Sequence, residues 1–231
     1  MVPLGMAAGL TLLAGMAASE EGAVLRTERE KTSYALGVDM GNKLKSQSVE
    51  VDADLLLQGL KDALAGGKTL LTPEEVRGTL LALEKELRTK QLEAVRKVGE
   101  KNRQEGEAFL SANKTKEGVV TLESGLQYKI LKAGDGKKPA ADDTVVCHYR
   151  GTLIDGQEFD SSYKTNQPAT FAVKRVIKGW NEALQLMPVG SKWQVFIPPN
   201  LGYGERGTPQ RIGPNATLIF EVELISIKDK S

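Results

Sequence analysis

Residues that could act as a base, a nucleophile or a metal ligand are scarce in this sequence. Its one histidine and one cysteine, His148 and Cys147, are neighbours in a run where apolar and polar residues alternate. The alternation predicts a strand in which Cys147 faces a core beside Val145, while His148 lies on the opposite, partly exposed face. We therefore expect a small core residue and a structural histidine, rather than a nucleophile and its base. Two such side chains are also too few for a zinc site.

Motifs for the commonest group-transfer reactions are missing as well. The sequence has no glycine-rich phosphate-binding loop and no Gly-x-Ser-x-Gly turn around a nucleophilic serine. Its 31 basic and 30 acidic residues give a net charge of +1, which argues against binding to nucleic acid or to a membrane surface through charge. Hydrolysis, phosphoryl transfer and charge-driven binding to nucleic acid are thus disfavoured.

Aromatic residues are the more informative candidates. Ten of the 12 aromatic residues follow residue 114. Six of these ten, together with one carboxylate, could line an apolar pocket with few polar groups: Tyr149, Phe159, Asp160, Phe171, Trp180, Tyr203 and Phe220. A pocket of this composition would bind its ligand mainly through shape and apolar contact.

A short helix at residues 176–187 would position the largest of these rings. Trp180, Ala183, Leu184 and Met187 recur at helical spacing, and Pro188 ends the pattern. Trp180 has two interpretations. It is a core residue between the helix and a sheet, or it is a core residue whose ring also forms the floor of a pocket.

Strands are predicted on both sides of this helix. Apolar and polar residues alternate in runs at 126–130, 145–150, 193–197 and 218–225, and Asp155-Gly156 predicts a hairpin. The 176–187 helix is the expected cover for one face of the sheet. We therefore predict an α+β fold in which a curved antiparallel β-sheet wraps around one short helix.

A long loop precedes the last strand. Residues 198–216 include four prolines and four glycines around Tyr203. A connection of this length within a compact domain is usually functional.

The first half of the chain predicts helices instead. Two short helices are expected at residues 27–44 and 52–66, and a capping box at Thr72–Glu75 begins a third of roughly 40 residues that ends near Asn113. Two short helices cover the leucine face of the third poorly, so we predict dimerisation through the N-terminal helices. A monomeric three-helix bundle is the alternative. Residues 99–108 are polar all round and predict a solvent-exposed bridge between two bodies.

The first 18 residues are almost wholly apolar and predict a secretory signal peptide. Gly15-Met16-Ala17 offers a small-x-small cleavage site, and the run is too short to cross a bilayer as a helix. No Lys or Arg precedes Arg26, so a buried N-terminal helix is the alternative. We expect an exported protein of the periplasm or the outer-membrane surface, without a transmembrane span.

Several segments of the aromatic-rich half resemble the signature segments of FKBP-type peptidyl-prolyl cis-trans isomerases. These are Phe159–Ser162, Val176–Trp180, Leu201–Gly204 and Ala216–Leu224. From about Thr27 the chain is similar to the bacterial macrophage-infectivity-potentiator-like branch, through residues 109–114, 124–129 and 183–188 in particular. The resemblance implies an exported protein with a helical dimerisation domain at 19–71, a long connecting helix at 72–113 and an isomerase domain at 114–231.

The resemblance also implies the site and its ligands. Trp180 would form the floor of a proline pocket, the Ile177 N–H and the Tyr203 hydroxyl would hold substrate carbonyls, and Asp160 would be the acidic wall. Asp160, Tyr203 and Trp180 are thus the expected catalytic residues. The expected substrate-binding residues are Tyr149, Phe159, Phe171, Val176, Ile177, Ile212 and Phe220. Substrates would be proline-containing polypeptides, macrolides would be candidate inhibitors, and no cofactor would be needed.

Three rim positions depart from the best-known members of the family. Ala169 replaces a phenylalanine, Thr208 a common histidine and Arg211 a common isoleucine. These changes bear on substrate preference and macrolide affinity rather than on the reaction. The alternative function is a holdase-type chaperone that uses the same pocket and the cleft between dimer arms.

Overall fold

The computed structural model describes residues 24–228, so the predicted signal peptide at residues 1–18 lies outside the described residues. Contacts divide the chain after Val76 into an N-terminal and a C-terminal unit. The fold is α+β, as predicted. Its helices are α1 (Glu28–Ser46), α2 (Ala53–Ala65), α3 (Pro73–Asn113) and α4 (Lys178–Leu186).

The helices of the N-terminal unit begin and end where the sequence indicates. Thr27 and Glu30 form a capping box at the start of α1, and the Asp52 carboxylate accepts from the backbone N–H groups of the first turn of α2. Gly66 ends α2 with a left-handed backbone, at φ 63°. Neither helix has a buried residue, although α2 carries a run of leucines. Local capping therefore defines these helices, while their apolar faces stay open within the chain.

The C-terminal unit contains an antiparallel sheet. Within the described residues the strand order is β1-β2-β6-β7-β3-β4, and β5 also pairs with β3. The strands are β1 (Val119–Thr121), β2 (Gln127–Lys132), β3 (Thr144–Leu153), β4 (Glu158–Ser161), β5 (Ala169–Ala172), β6 (Lys192–Ile197) and β7 (Leu218–Ile227). The Asp155-Gly156 turn joins β3 to β4, which confirms the predicted hairpin.

The core lies between the sheet and α4. Trp180, Ala183 and Leu184 are buried on the helix side, as the helical spacing predicts. They pack with buried residues from the strands, among them Val195 and Val222. A side chain on Gly179 would bring a Cβ to 2.6 Å from Ile197 Cγ2, so the absence of one lets the first turn of α4 lie directly on β6. Truncating a fully buried leucine in such a core costs about 2–5 kcal/mol.

The prediction for residues 99–108 is wrong. This stretch of α3 is not exposed on all sides, because Gly99 and Gly106 are buried against residues 214–217 of the same unit. One turn further on, the ring centroid of Phe109 lies 5.9 Å from that of Phe196 on β6. The end of α3 therefore contacts the sheet as well, and α4 is not its only helical neighbour. The contacting stripe consists of small and polar residues, so a search for apolar periodicity overlooks it.

Candidate functional site

A cavity of about 520 Å³ opens beside α4 in the C-terminal unit. The structure brings all ten predicted site residues together around it: Tyr149, Phe159, Asp160, Phe171, Val176, Ile177, Trp180, Tyr203, Ile212 and Phe220. The remaining lining residues are Arg175, Thr208, Pro209 and Arg211. The volume is in the range of small-ligand sites, and most of the lining is apolar or aromatic.

Trp180 is the centre of an aromatic cage. Its ring centroid lies 5.4 Å from that of Tyr149, 5.3 Å from that of Phe171 and 5.2 Å from that of Phe220. The corresponding interplanar angles are 86°, 70° and 83°, which are edge-to-face arrangements. The Trp180 Nε1–H is buried and has no hydrogen-bond partner among the described residues. Ring packing therefore fixes the indole, and its face is available to a ligand in the cavity.

Helix α4 presents this ring because of where it begins. Ile177 is the residue before its first turn and has an extended backbone, at ψ 152°. The Ile177 carbonyl accepts from the Asn181 N–H at 3.0 Å and so closes the first turn. Backbone N–H groups at a helix N-terminus have no acceptor within the helix, which leaves them suited to bind a carbonyl oxygen. Trp180 follows within this first turn, and both Ile177 and Trp180 line the cavity.

Asp160 is the carboxylate of the cavity, and both of its oxygens accept hydrogen bonds. The Tyr149 hydroxyl donates to Oδ2 at 2.7 Å, and the Ser161 backbone N–H donates to Oδ1 at 2.9 Å. Burial, followed by the hydrogen bond to Asp160, raises the pKa of Tyr149 well above its usual range. The tyrosine therefore keeps its proton at neutral pH and holds the carboxylate in place. This pair orders the polar wall of the cavity.

Tyr203 supplies a second hydroxyl at the rim. Its side chain is 39 % exposed, and burial, then the charge of Asp160, raises its pKa above the ordinary value. The phenol consequently remains a hydrogen-bond donor across the physiological range. The predicted loop around it is partly ordered into short 3₁₀ turns at Pro199–Leu201 and Gly204–Arg206.

The structure places His148 and Cys147 away from this chemistry, as predicted. His148 Nδ1 lies 2.9 Å from Ser162 Oγ, and the imidazole stacks on Tyr163 with ring centroids 4.8 Å apart. Cys147 is fully buried, and burial raises the pKa of its thiol to about 12. A thiol of this kind is neither accessible nor ionised at neutral pH.

Two residues that line the cavity were not predicted, and one residue predicted for the rim does not line it. Arg175 and Pro209 line the cavity, whereas Ala169 pairs with Cys147 on β3 and does not. Arg175 ends a 3₁₀ turn directly before Val176. Its place next to two predicted pocket residues is the signal that could have indicated it, but an arginine fits no pattern of an apolar pocket.

Two family models match the chain in consecutive parts that do not overlap. One is described as FKBP-type peptidyl-prolyl cis-trans isomerase and matches residues 135–225. The other is described as the domain amino terminal to FKBP-type peptidyl-prolyl isomerase and matches residues 29–130. The chain belongs to the family of FKBP-type peptidyl-prolyl cis-trans isomerases, and its activity is the isomerisation of peptidyl-prolyl bonds.

Named relatives are similar over nearly the whole length. Outer membrane protein MIP of Legionella longbeachae is 48 % identical over 220 residues, which are 95 % of this chain and 94 % of that protein. Peptidyl-prolyl cis-trans isomerase Mip of Coxiella burnetii is 47 % identical over 206 residues, 89 % of this chain and 90 % of that protein. The crystal structure of FkpA from Escherichia coli superposes with a TM-score of 0.73 at 38 % identity, covering 89 % of this chain and 99 % of that one.

Proposed function

We propose that the cavity around Trp180 is the proline pocket in which this isomerase rotates X–Pro bonds. The observation that carries the proposal is the cage of three edge-to-face aromatic rings around Trp180, beside a carboxylate whose oxygens are already hydrogen-bonded. A pyrrolidine ring is apolar and compact, and it fits a cage of this kind. Trp180 is then the floor, and Asp160 with Tyr149 forms the polar wall.

The chemistry requires no bond to be broken. Amide resonance sets a barrier of about 18–20 kcal/mol to rotation about the X–Pro bond. The planar amide is more polar than the twisted transition state, so an apolar pocket disfavours the ground state relative to the twisted form. The Ile177 N–H and the Tyr203 hydroxyl are positioned to hold substrate carbonyls as the amide rotates. Neither a general base nor a cofactor has a step in this mechanism.

Two substitutions in the full-length chain test these roles. Tyr203→Phe and Asp160→Leu should each lower kcat/KM on a short proline peptide by about tenfold, because a donor or the group that orients one is lost. Tyr163→Phe is the matched control, since Tyr163 stacks on His148 and is absent from the cavity lining. Wild-type rates in both pocket variants would refute the residue assignment.

The alternative, a holdase that binds clients without isomerising them, uses the same cavity. The family to which the chain belongs favours isomerisation. A wild-type protein that suppressed aggregation of an unfolded client but left the cis/trans ratio of a proline peptide relaxing at its uncatalysed rate would favour the holdase instead.

We also propose that the chain forms a homodimer through its N-terminal helices. Val38, Leu56 and Leu60 remain exposed there. A hollow of about 680 Å³ lies between α1 and α2 and includes Leu56 and Leu60 in its lining. The N-terminal family model covers these helices, and a second copy of the chain would supply the missing apolar partner. The domain boundaries at 71/72 and 113/114 remain part of this proposal.

Export is the proposed destination, to the periplasm or the outer-membrane surface, with exported polypeptides as substrates. The apolar run at residues 1–18 supports it, and so does the similarity to a Legionella longbeachae protein that is named an outer membrane protein. Across residues 24–228, no helix is both long and apolar enough to cross a membrane. Fractionation of cells that express the full chain tests the proposal, and recovery of the uncleaved protein in the cytoplasm would refute it.

The rim residues are the expected source of ligand preference. Arg175 and Arg211 are both exposed and both line the cavity. Two cationic side chains beside Asp160 favour peptides with an acidic residue near the proline. They also change the rim that a macrolide would contact, compared with family members that have isoleucine at the position of Arg211.

A further inference from the structure

The C-terminal part of α3 presents a narrow stripe to the chain segment that precedes β7. Gly99, Asn102 and Gly106 follow one another at spacings of three and four residues, so they lie on one face of the helix. Gly99 and Gly106 are buried, and Asn102 is partly buried. Because Gly99 and Gly106 have no side chain, the helix backbone lies directly against the segment 213–217. We call this contact the α3 seam.

Two side-chain hydrogen bonds cross the seam in opposite directions. Asn102 Nδ2 donates to the Pro214 carbonyl at 2.8 Å. Asn215 Nδ2 donates to the Gly99 carbonyl at 3.4 Å. Each bond joins residues more than 100 positions apart in the chain, so the pair fixes the register between α3 and the segment rather than closing a local turn.

The segment on the far side of the seam carries part of the pocket. Ile212, which is 5 % exposed and lines the cavity, lies two residues before Pro214. The Asn215 backbone N–H donates to the Gly204 carbonyl at 2.8 Å, directly after Tyr203 in the sequence. Asn215 therefore holds α3 with its side chain and the Tyr203 turn with its backbone. Its φ of 55° is in the left-handed region, where asparagine is among the few tolerated residues.

The fit of the seam at Gly106 is tight. A Cβ on Gly106 would overlap Thr217 Oγ1, and it would lie 3.2 Å from Thr217 Cβ. Thr217 Oγ1 is buried and has no hydrogen-bond partner among the described residues. The close approach of the two backbones thus requires glycine at 106.

We propose that the α3 seam is a working part of the isomerase site. Asn102, Asn215 and Gly106 are positioning residues: through Pro214, Gly204 and Thr217 respectively, they hold Ile212 and Tyr203 in the arrangement that binds the rotating amide. The inference rests on the proposed function of the cavity. It extends the site to a helix that the predicted organisation treats only as a connection between domains.

The physical reason is the composition of the loop. Residues 198–216 contain four prolines and four glycines and little regular structure, so the loop has few ladder hydrogen bonds to hold it. Transition-state stabilisation depends on donors that are held in place before the reaction. Contacts from a long, regular helix can provide this order where the loop itself does not.

An asparagine-to-alanine substitution tests the seam in the full-length protein. Asn102→Ala should lower kcat/KM on a short proline peptide about fivefold, mostly through kcat. The reason is that a less firmly held Tyr203 weakens contacts to the transition state more than it weakens binding of the ground-state substrate. Gln104→Ala is the matched control: it removes an exposed amide of the same helix, whose side chain, within residues 24–228, donates to Glu100. Its rate should equal that of wild type.

The outcomes separate the two proposals. An inactive wild-type protein would refute the proposed function of the cavity. An active wild-type protein with equal kcat and KM in Asn102→Ala and Gln104→Ala would overturn the seam proposal alone. A change in KM without a change in kcat would also overturn it, because such a change reports weaker substrate binding and no loss of transition-state stabilisation.

A rescue pair makes the test independent of general destabilisation. Gly106→Ala should lower kcat by more than Asn102→Ala, since the new methyl group pushes the segment away. Adding Thr217→Ala removes the overlapping oxygen and should restore at least half of the lost kcat. A double variant no more active than Gly106→Ala would contradict the proposed contact.

Discussion

The helices of the N-terminal unit and the sheet of the C-terminal unit place their leucines in opposite environments. On α2, Leu55, Leu56, Leu57 and Leu60 are between 39 % and 59 % exposed. In the C-terminal unit, Leu126, Leu184, Leu218 and Leu224 are at most 1 % exposed. The same side chain is therefore part of a closed core in one unit and of an open face in the other.

The glycines repeat this difference. A Cβ added to Gly37, Gly41 or Gly59 would meet nothing within 4 Å, whereas one added to Gly151 or Gly179 would overlap a neighbouring side chain. Within the described residues, close packing is thus complete around these glycines of the C-terminal unit and incomplete around those of α1 and α2. The C-terminal core is therefore closed within one chain, whereas the proposed dimer would cover the open face of the N-terminal helices.

The largest effect is expected where the open face is made polar. Leu56→Glu combined with Leu60→Glu should weaken association about 10²- to 10⁴-fold. A symmetric dimer would lose four leucines, and each is about half exposed in the single chain, so each contributes about half of the 1.5–3 kcal/mol of a fully buried leucine, where 1.4 kcal/mol is a factor of ten. Isomerisation of a short peptide per chain should stay within twofold of wild type. Sedimentation velocity over a range of protein concentrations measures the first quantity, and a peptide assay measures the second.

A charge-matched variant controls for the added acidic residues. Gln58→Glu with Lys61→Gln lowers the net charge by two as well, but it leaves every leucine in place and changes residues outside the hollow between α1 and α2. It should associate like wild type. If the leucine variant stayed as dimeric as this control, the N-terminal helices would not be the interface.

Much of this comparison could be predicted from sequence because it depends on local signals. Caps at Thr27, Asp52 and Gly66 define the short helices, and alternation defines β3, β6 and β7. The pattern of six aromatic residues, joined by Asp160, indicated seven lining residues of the cavity. Val176, Ile177 and Ile212 followed only from the family resemblance, since an aliphatic pocket residue has the same spacing as a core residue.

The α3 seam could not be predicted in this way. Gly99, Asn102 and Gly106 form a stripe without apolar side chains, and the contact is visible only when residues more than 100 positions away are placed opposite. Apolar periodicity reports where large side chains are buried, not where two backbones approach. Arg175 was missed for a related reason, because an exposed arginine has no preferred position in such a pattern.

A glycine of the sheet gives the second test, on the closed side of the comparison. Gly151→Ala would place a Cβ 2.7 Å from atoms of both the Phe159 and Phe220 rings. We expect a loss of about 1–3 kcal/mol in the free energy of unfolding from this overpacking. The two rings line the cavity, so kcat/KM on a proline peptide should fall about tenfold as well. Thermal denaturation and peptide kinetics on the same samples provide the two measurements.

Gly156→Ala is the control for this substitution. Gly156 has φ 87°, and a Cβ there meets nothing within 4 Å. The change should strain the turn by about 1–2 kcal/mol but leave kcat/KM unchanged, since no cavity ring moves. Equal kinetic losses in the two variants would show that destabilisation alone, rather than the displaced rings, reduces activity.

The smallest expected effect concerns Cys147 and tests whether the C-terminal core excludes water from its thiol. Burial raises the pKa of this thiol from 9.0 to about 12, so in alkaline solution the unfolded state loses the proton before the folded state does. The unfolded state then binds fewer protons, and the free energy of unfolding falls as pH rises from about 9 towards 12, by about 1.4 kcal/mol at pH 10 from this group. Tyr149 and Tyr203, whose pKa values are also raised, act in the same direction at still higher pH.

Both tryptophans, Trp180 and Trp193, lie in this unit, so denaturant unfolding followed by tryptophan fluorescence reports on it alone. Cys147→Ala should unfold more easily at pH 7 because of the cavity it creates, yet it should lose about 1.4 kcal/mol less than wild type between pH 7 and pH 10. An identical drop in both proteins would mean that water reaches the thiol and that the core around β3 is more open than its packing indicates.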